Sequence, residues 1–387
     1  MKIYSTKQNK NLSSIFLFII LFSAFSCRNE QATDQTTNNE SKPLFPYNKW
    51  VITDTVLTNG PHGNFDEIAV KDPTIVFYNG KYHLFYTSKA TYPTAAKSDY
   101  IDHMGSGFGY VSAETIEGLN KAERYFMSEI TESIVVAPQI FYFEPHKLWY
   151  LVAQTVVKGE TPNLKPIYLT NPDIEDVNGW SDIHIIETSK SDNSFWIDFW
   201  VICDDEKAHL FYTDHKGSMF RFECPIEEFP DGFAGQREET VLTQRGETEK
   251  GRWRLHEASH IYYVKEADEY LAILEAVYPH PTRRNYWESR NRFMFAMVAD
   301  KLEGPWERVE PDLNEFAGDP ENLYNLDGTQ SVFRTISHPE LIRSGYDQKL
   351  EIDNYDLQLV FQAFDADTIG SDYDYNYLPY DLYLMRN

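Results

Sequence analysis

Five stretches of this 387-residue chain repeat one pattern: an aromatic-rich strand, a short polar turn and a second aromatic-rich strand. They open at Asp72, Pro138, Asp198, Glu257 and His338, in steps of 66, 60, 59 and 81 residues. The first runs Lys71-Asp72-Pro73 into TIVFYNGKYHLFYTS, and the third runs Ile197-Asp198 into FWVICDDEKAHLFYTD. A recurring step of this size, with several strands per unit, predicts an all-β, five-bladed β-propeller. The first strand of each blade then lines a central axis. Asp72, Asp198 and Glu257 would meet there, and three acids around one cavity suit hydrolysis of a glycosidic bond. Strand spacing alone also fits a β-sandwich; the carboxylates at strand starts favour the propeller.

Turn chemistry supports the repeat. Asn79-Gly80, Glu144-Pro145-His146-Lys147 and Asp204-Asp205-Glu206-Lys207 each separate two alternating apolar runs, and Asp214-His215-Lys216-Gly217 leads into SMFRFECP. Helical periodicity is confined to two short connectors, 113–127 and 298–304. The last strand, within YNYLPYDLYLMRN, is expected to complete a blade begun at 49–57 and so close the ring.

The acids differ in setting. Asp72 precedes a proline at a strand start, which places it at a rim. Asp198 lies among Phe195, Trp196, Ile197, Phe199 and Trp200, where an unpaired carboxylate is costly. Glu257 follows RWRLH, and apolar surroundings are expected to raise its pKa, as a general acid requires. One carboxylate would activate water, one would protonate the leaving oxygen, and the third would hold the acid's charge state.

The N-terminus reads as an export signal over 1–26: Lys2, Lys7 and Lys10, the apolar run IFLFIILF, then Ser26-Cys27. Cleavage before Cys27 would leave a lipidated cysteine at the cell surface or outer membrane, and a plain secretory leader is the alternative. Residues 27–45 are polar and read as a flexible tether, leaving 46–387 as the catalytic domain. The formal charge of −25 and pI near 4.8 argue against nucleic-acid binding and allow a neutral polysaccharide partner. The membrane is reached only through the anchor. Cys203 and Cys224 are expected on adjacent strands, with pairing left open.

From Trp50 to the C-terminus the chain resembles glycoside hydrolase family 62, the α-L-arabinofuranosidases. The likeness is carried in order by VKDPTIVFYNGKYHLFYTS, VVAPQIFYFEPHKLWYLVAQ, WIDFWVICDD, FPDGFAGQREETVL, LHEASHIYYV, TISHPELIRSGYDQKLEIDNYDLQLVFQAFD and YNYLPY. It implies an inverting enzyme that removes arabinofuranosyl side chains from a polysaccharide such as arabinoxylan. Asp72 would be the base, Asp198 the pKa modulator and Glu257 the acid. Inversion implies a base–acid carboxyl separation of about 6.5–9.5 Å. Lys71, Tyr375 and Asn376 would line the sugar site, and His338 would hold a structural Ca2+. The chain departs from the pattern at Ala153-Gln154-Thr155, at Val332-Phe333-Arg334-Thr335, and at Pro73. The Asp-Pro pair is similar to glycoside hydrolase family 43, so a β-xylosidase or arabinanase stays open, as does a non-catalytic glycan-binding propeller. The segment 278–292 carries Tyr286 and Trp287, candidates for stacking on sugar, and Arg283, Arg284 and Arg290, candidates for hydroxyl contacts.

Overall fold

In the computed structural model the described residues are 49–91, 106–279, 287–309, 320–333, 335–369 and 375–387, with side chains left out over 279–291 and at 366. The signal and tether, and the side chains of Arg283, Arg284, Tyr286, Trp287 and Arg290, lie outside the described residues.

The strands form five separate sheets, the five blades. Blades I, II and III are four-stranded and run consecutively through the chain, with inner strands Ala69–Tyr78, Val136–Phe143 and Ile197–Cys203. Blade IV is built on three long strands, Gly251–Val264, Glu269–Pro279 and Trp287–Ala299. Blade V joins the two ends of the domain: Trp50–Leu57 pairs antiparallel with Asp381–Arg386, beside Gln358–Ala363 and the inner strand Ile336–Leu341. This is the closure expected from the sequence, and it pairs the terminal strands with each other.

The hairpin turns follow their residues. Asn79 and Gly80 both have positive φ, 50° and 79°, as a tight two-residue hairpin demands. The expected helices are mostly absent. The segment 113–127 holds one short turn of helix, Ile116–Leu119, capped by the Thr115 hydroxyl; a second, Met127–Ile130, follows a three-residue strand. Val298 continues the strand Trp287–Ala299 and pairs with Leu271 and Glu307, so the apolar run at 298–304 packs as strand and turn.

Cys203 and Cys224 are buried free thiols. Both pair with Ala208 on the strand between them, so their strands are two apart, not adjacent. Two inter-strand steps of about 4.8 Å exceed the reach of a disulfide.

One backbone feature recurs in every blade. Each inner strand loses register with its neighbour in a β-bulge, near its start in four blades and midway along Gly251–Val264 in blade IV. At each bulge one residue takes a left-handed conformation: Asp72 (φ 48°), Ala137 (51°), Asp198 (57°), Ala258 (56°) and His338 (46°). None is glycine, and positive φ at such residues is uncommon and costs stability. A bulge re-aims the side chain it carries, so this ring of five positions turns Asp72, Asp198 and His338 toward the axis.

Candidate active site

The bulges are pinned by the preceding blade. The Asp72 N–H donates to Gln362 Oε1 at 2.6 Å, Ala137 N–H to Thr87 Oγ1 at 2.8 Å, Asp198 N–H to Gln154 Oε1 at 2.9 Å and His338 N–H to Glu275 Oε2 at 3.1 Å. Each acceptor stands on the second strand of the blade before. Ala258 is the exception: its N–H donates to Asp198 Oδ2 at 3.1 Å, which fixes that carboxylate. Gln154 Nε2 also approaches Asp198 Oδ1, at 3.4 Å. Gln154 belongs to the segment where the family resemblance fails, and it serves the backbone and the carboxylate together.

His338 gathers the acids. Its Nδ1 lies 3.4 Å from Asp72 Oδ1 and 3.6 Å from Glu275 Oε2, and its Nε2 lies 3.3 Å from Asp198 Oδ2. Burial disfavours a charge on His338, but Asp72, Asp198 and Glu275 outweigh it and hold the imidazole well above its usual pKa. Beneath these groups is an axial cavity of about 10 Å3, lined by Asp72, Pro73, Asp198, Trp200, His260 and His338 among others. Glu257 joins from blade IV: ligand atoms of Asp198, Glu257 and His338 lie within 4.8 Å of one another. The three acids named from the sequence are therefore brought together, each buried.

Two corrections concern Glu257. It is not at the position equivalent to Asp72 and Asp198. Those are bulge residues, whereas in blade IV the bulge residue is Ala258 and Glu257 precedes it, as Lys71 precedes Asp72. Nor is its environment apolar. Arg292 Nη1 donates to Glu257 Oε2 and to Glu275 Oε1, while His215 Nε2 and His256 Nε2 lie 2.6 and 3.4 Å from Glu257 Oε1. Burial would raise the Glu257 pKa; Arg292 first, then His256 and His215, overturn that and hold it well below the usual carboxylate range.

Lys71 and Tyr375 meet as a pair. Lys71 Nζ donates to Tyr375 Oη at 2.8 Å and sits 4.6 Å over the Tyr375 ring, while Arg292 lies 5.8 Å from the same ring. Burial opposes the Lys71 charge, but Tyr375, Asp72 and Tyr380 keep its pKa above normal. Tyr375 thus bridges the Asp72 side of the site to the Glu257 side. Asn376 follows in the same turn, Tyr375–Tyr377.

Sequence reasoning passed over Arg292, Glu275, Gln362 and His215. Arg292 and Glu275 stand as charged residues in the apolar runs RFMFAMVA and LAILEAVY. A lone charge inside a buried strand needs a partner, and that signal could have paired them.

The profile of Glycosyl hydrolase family 62 matches residues 49–385. A curated relative, the "Alpha-L-arabinofuranosidase C" of Cellvibrio japonicus (strain Ueda107), is 30% identical over 321 residues, covering 82% of this chain and 44% of its own length. The chain thus spans less than half the length of that relative. Among solved structures, the catalytic domain of the Coprinopsis cinerea family 62 α-L-arabinofuranosidase matches with TM-score 0.70 and 27% identity, covering 88% of this chain and 98% of that one. The Podospora anserina α-L-arabinofuranosidase in complex with cellotriose matches with TM-score 0.68 and 25% identity over 88% and 98%. Family 43 hydrolases share the fold at 13–14% identity and TM-scores of 0.50–0.51. The chain belongs to glycosyl hydrolase family 62.

Proposed function

We infer that this chain is a glycoside hydrolase, an inverting α-L-arabinofuranosidase acting on arabinofuranosyl branches of a plant polysaccharide such as arabinoxylan. The observation that carries the reading is the meeting of Asp72, Asp198 and Glu257 at one buried axial site in a family 62 chain. Asp72 takes a proton from the attacking water. Glu257 gives one to the leaving glycosidic oxygen. Asp198, set between His338 and the Ala258 N–H, holds the electrostatic balance between them. Lys71, Tyr375 and Asn376 line the sugar site. The test is release of arabinose from arabinoxylan with the product anomer followed by NMR. Asp72→Asn and Glu257→Gln should each lower kcat by at least about 100-fold, and unchanged turnover in either sinks the assignment.

The same reading includes a calcium ion at the axis with His338 as its protein ligand. Three features support the fit: His338 lines the axial cavity, its buried Nε2 has no aligned hydrogen bond, and Asp72 and Asp198 flank it. The ion would take the place of the proton on His338 and supply positive charge that offsets these carboxylates, a structural role. Dialysis against a chelator should lower Tm, and added Ca2+ should restore it.

Export and a lipid anchor at Cys27 complete the proposal on the sequence features of 1–27. A Cys27→Ala variant that still partitions with membranes would rule out the anchor.

A further inference from the structure

A general acid must carry a proton when substrate binds, yet Glu257 is set among groups that strip it. Arg292 occupies Oε2, the buried His256 lies 3.4 Å from Oε1, and His338 and Asp198 lie across the axis. The remaining neighbour is His215, whose Nε2 is 2.6 Å from Oε1. At that distance the two atoms can share a proton once the ring turns to align its N–H. The ring N–H is not aligned on the oxygen in the free protein; such bonds commonly tighten only when substrate is bound.

The chain invests structure in placing this ring. His215 has φ 55°, in a turn where Asp214 Oδ1 accepts from the N–H groups of Lys216 (2.7 Å) and Ser218 (3.0 Å) and Gly217 has φ 106°. The imidazole stacks on His256 at 3.9 Å and 18°, and on Phe195 at 4.3 Å and 31°. Phe195 is 42% exposed and the His215 side chain 25%, so the stack reaches from buried Glu257 to solvent. The stacking also decides against a metal ion shared by the two histidines. A metal lies near the plane of each imidazole it binds, and two nearly parallel rings 3.9 Å apart cannot both meet that condition.

Resting on the glycosidase reading with Glu257 as acid, we propose that His215 is a positioning residue that keeps the acid's proton. In the free enzyme the His215–Glu257 pair holds one proton, on His215 Nε2. As the leaving oxygen approaches, that N–H bond breaks and a Glu257 O–H bond forms. The Glu257 O–H then breaks as the glycosidic oxygen takes the proton and the C–O bond cleaves, while Asp72 takes a proton from the attacking water. Solvent at the exposed edge of His215 reloads the pair, and Asp72 returns its proton to solvent once product leaves.

The experiment compares His215→Gln and His215→Phe with the unchanged chain on two substrates. One is an arabinosylated xylo-oligosaccharide, whose leaving oxygen needs protonation; the other is 4-nitrophenyl arabinofuranoside, whose leaving group needs little. Expected is a fall in kcat/KM of about 100-fold on the first and under about 3-fold on the second. The alkaline limb of the pH profile should move to lower pH, because Glu257 then faces Arg292 and His256 without the proton shared with His215. Equal losses on both substrates with an unmoved limb overturn the proposal. Side-chain NMR supplies a readout that needs no turnover: the His215 Nε2–H resonance should shift in Glu257→Gln, and an unchanged signal also overturns the proposal. Absence of arabinose release by the unchanged chain would instead count against the glycosidase reading.

Discussion

The two ends of the site are built by different means. On the Asp72 side, the carboxylates and His338 are delivered by a backbone device repeated in all five blades: a bulge residue at positive φ, pinned by a side chain of the preceding blade that stands on its second strand in four of the five. On the Glu257 side the repeat breaks. The acid stands one residue before the bulge, and its neighbours come from a turn, His215, and from two long strands, Glu275 and Arg292. Shared architecture thus positions the proposed base and modulator, while local side-chain chemistry sets the proposed acid. A symmetric scaffold can place a group precisely enough to abstract a proton. Poising a proton donor needs an asymmetric charge balance that no repeat supplies.

The sharpest way to break this contrast is to remove Arg292. Its guanidinium is the cation between buried Glu257 and buried Glu275, and Glu275 also accepts from the Ser337 hydroxyl and the His338 N–H. Arg292→Leu should cost roughly 3–5 kcal/mol, the usual result of leaving a buried charge uncompensated. The sign of its pH dependence follows from Glu257. A carboxyl whose folded pKa is depressed adds stability above its unfolded pKa, about 4.3, and loses it as pH falls through the folded value. The gap between the two chains in urea unfolding should therefore be widest near neutrality and narrow below about pH 4. A gap that stays constant with pH would show that Arg292 acts by packing alone.

A smaller effect tests the other side. Gln362→Leu leaves the buried Asp72 N–H without its acceptor, at a cost of about 1–3 kcal/mol. Thr87→Val does the same to Ala137 N–H in blade II. If the bulges are one repeated device, the two losses of stability should be alike. Only Gln362→Leu should also lower kcat, because only its bulge carries a proposed catalytic group. Equal effects on activity would show that the bulge ring acts as a whole rather than residue by residue.

The same contrast explains what could be read from the sequence. Strand openings near 72, 138, 198, 257 and 338 are visible because aromatic alternation and turn residues mark them, and they place the blades and the ring closure correctly. The bulge is invisible, since positive φ at Asp, Ala or His has no compositional mark. One inserted residue exchanges the faces of a strand, so Glu257 was aligned with Asp72 when its counterpart is Lys71. The acid's neighbours were illegible for another reason. His215 and Arg292 are 42 and 35 residues from Glu257, and only the folded blades bring them within contact. The helical reading of 298–304 failed because a short apolar run at a strand end resembles a helix turn until its partners, Leu271 and Glu307, are known.

The smallest expected effect concerns Cys203 and Cys224. Both are buried, and burial pushes the Cys224 thiol up to about 12 and the Cys203 thiol well above its usual range. Thiolate is the reactive form, so both should resist alkylation while the blade is folded, and the intervening strand keeps them from pairing. A reducing agent should leave Tm unchanged, and iodoacetamide should label both residues only after unfolding. Labelling of Cys224 in the folded chain, faster than global unfolding allows, would place a local opening in blade III near the short helical segment Asp231–Gly235, whose Gly232 packs against Cys224. Blade III carries both Asp198 and His215, so that opening would loosen the modulator and the acid's partner together, and the two sides of the site would prove less independent than their construction suggests.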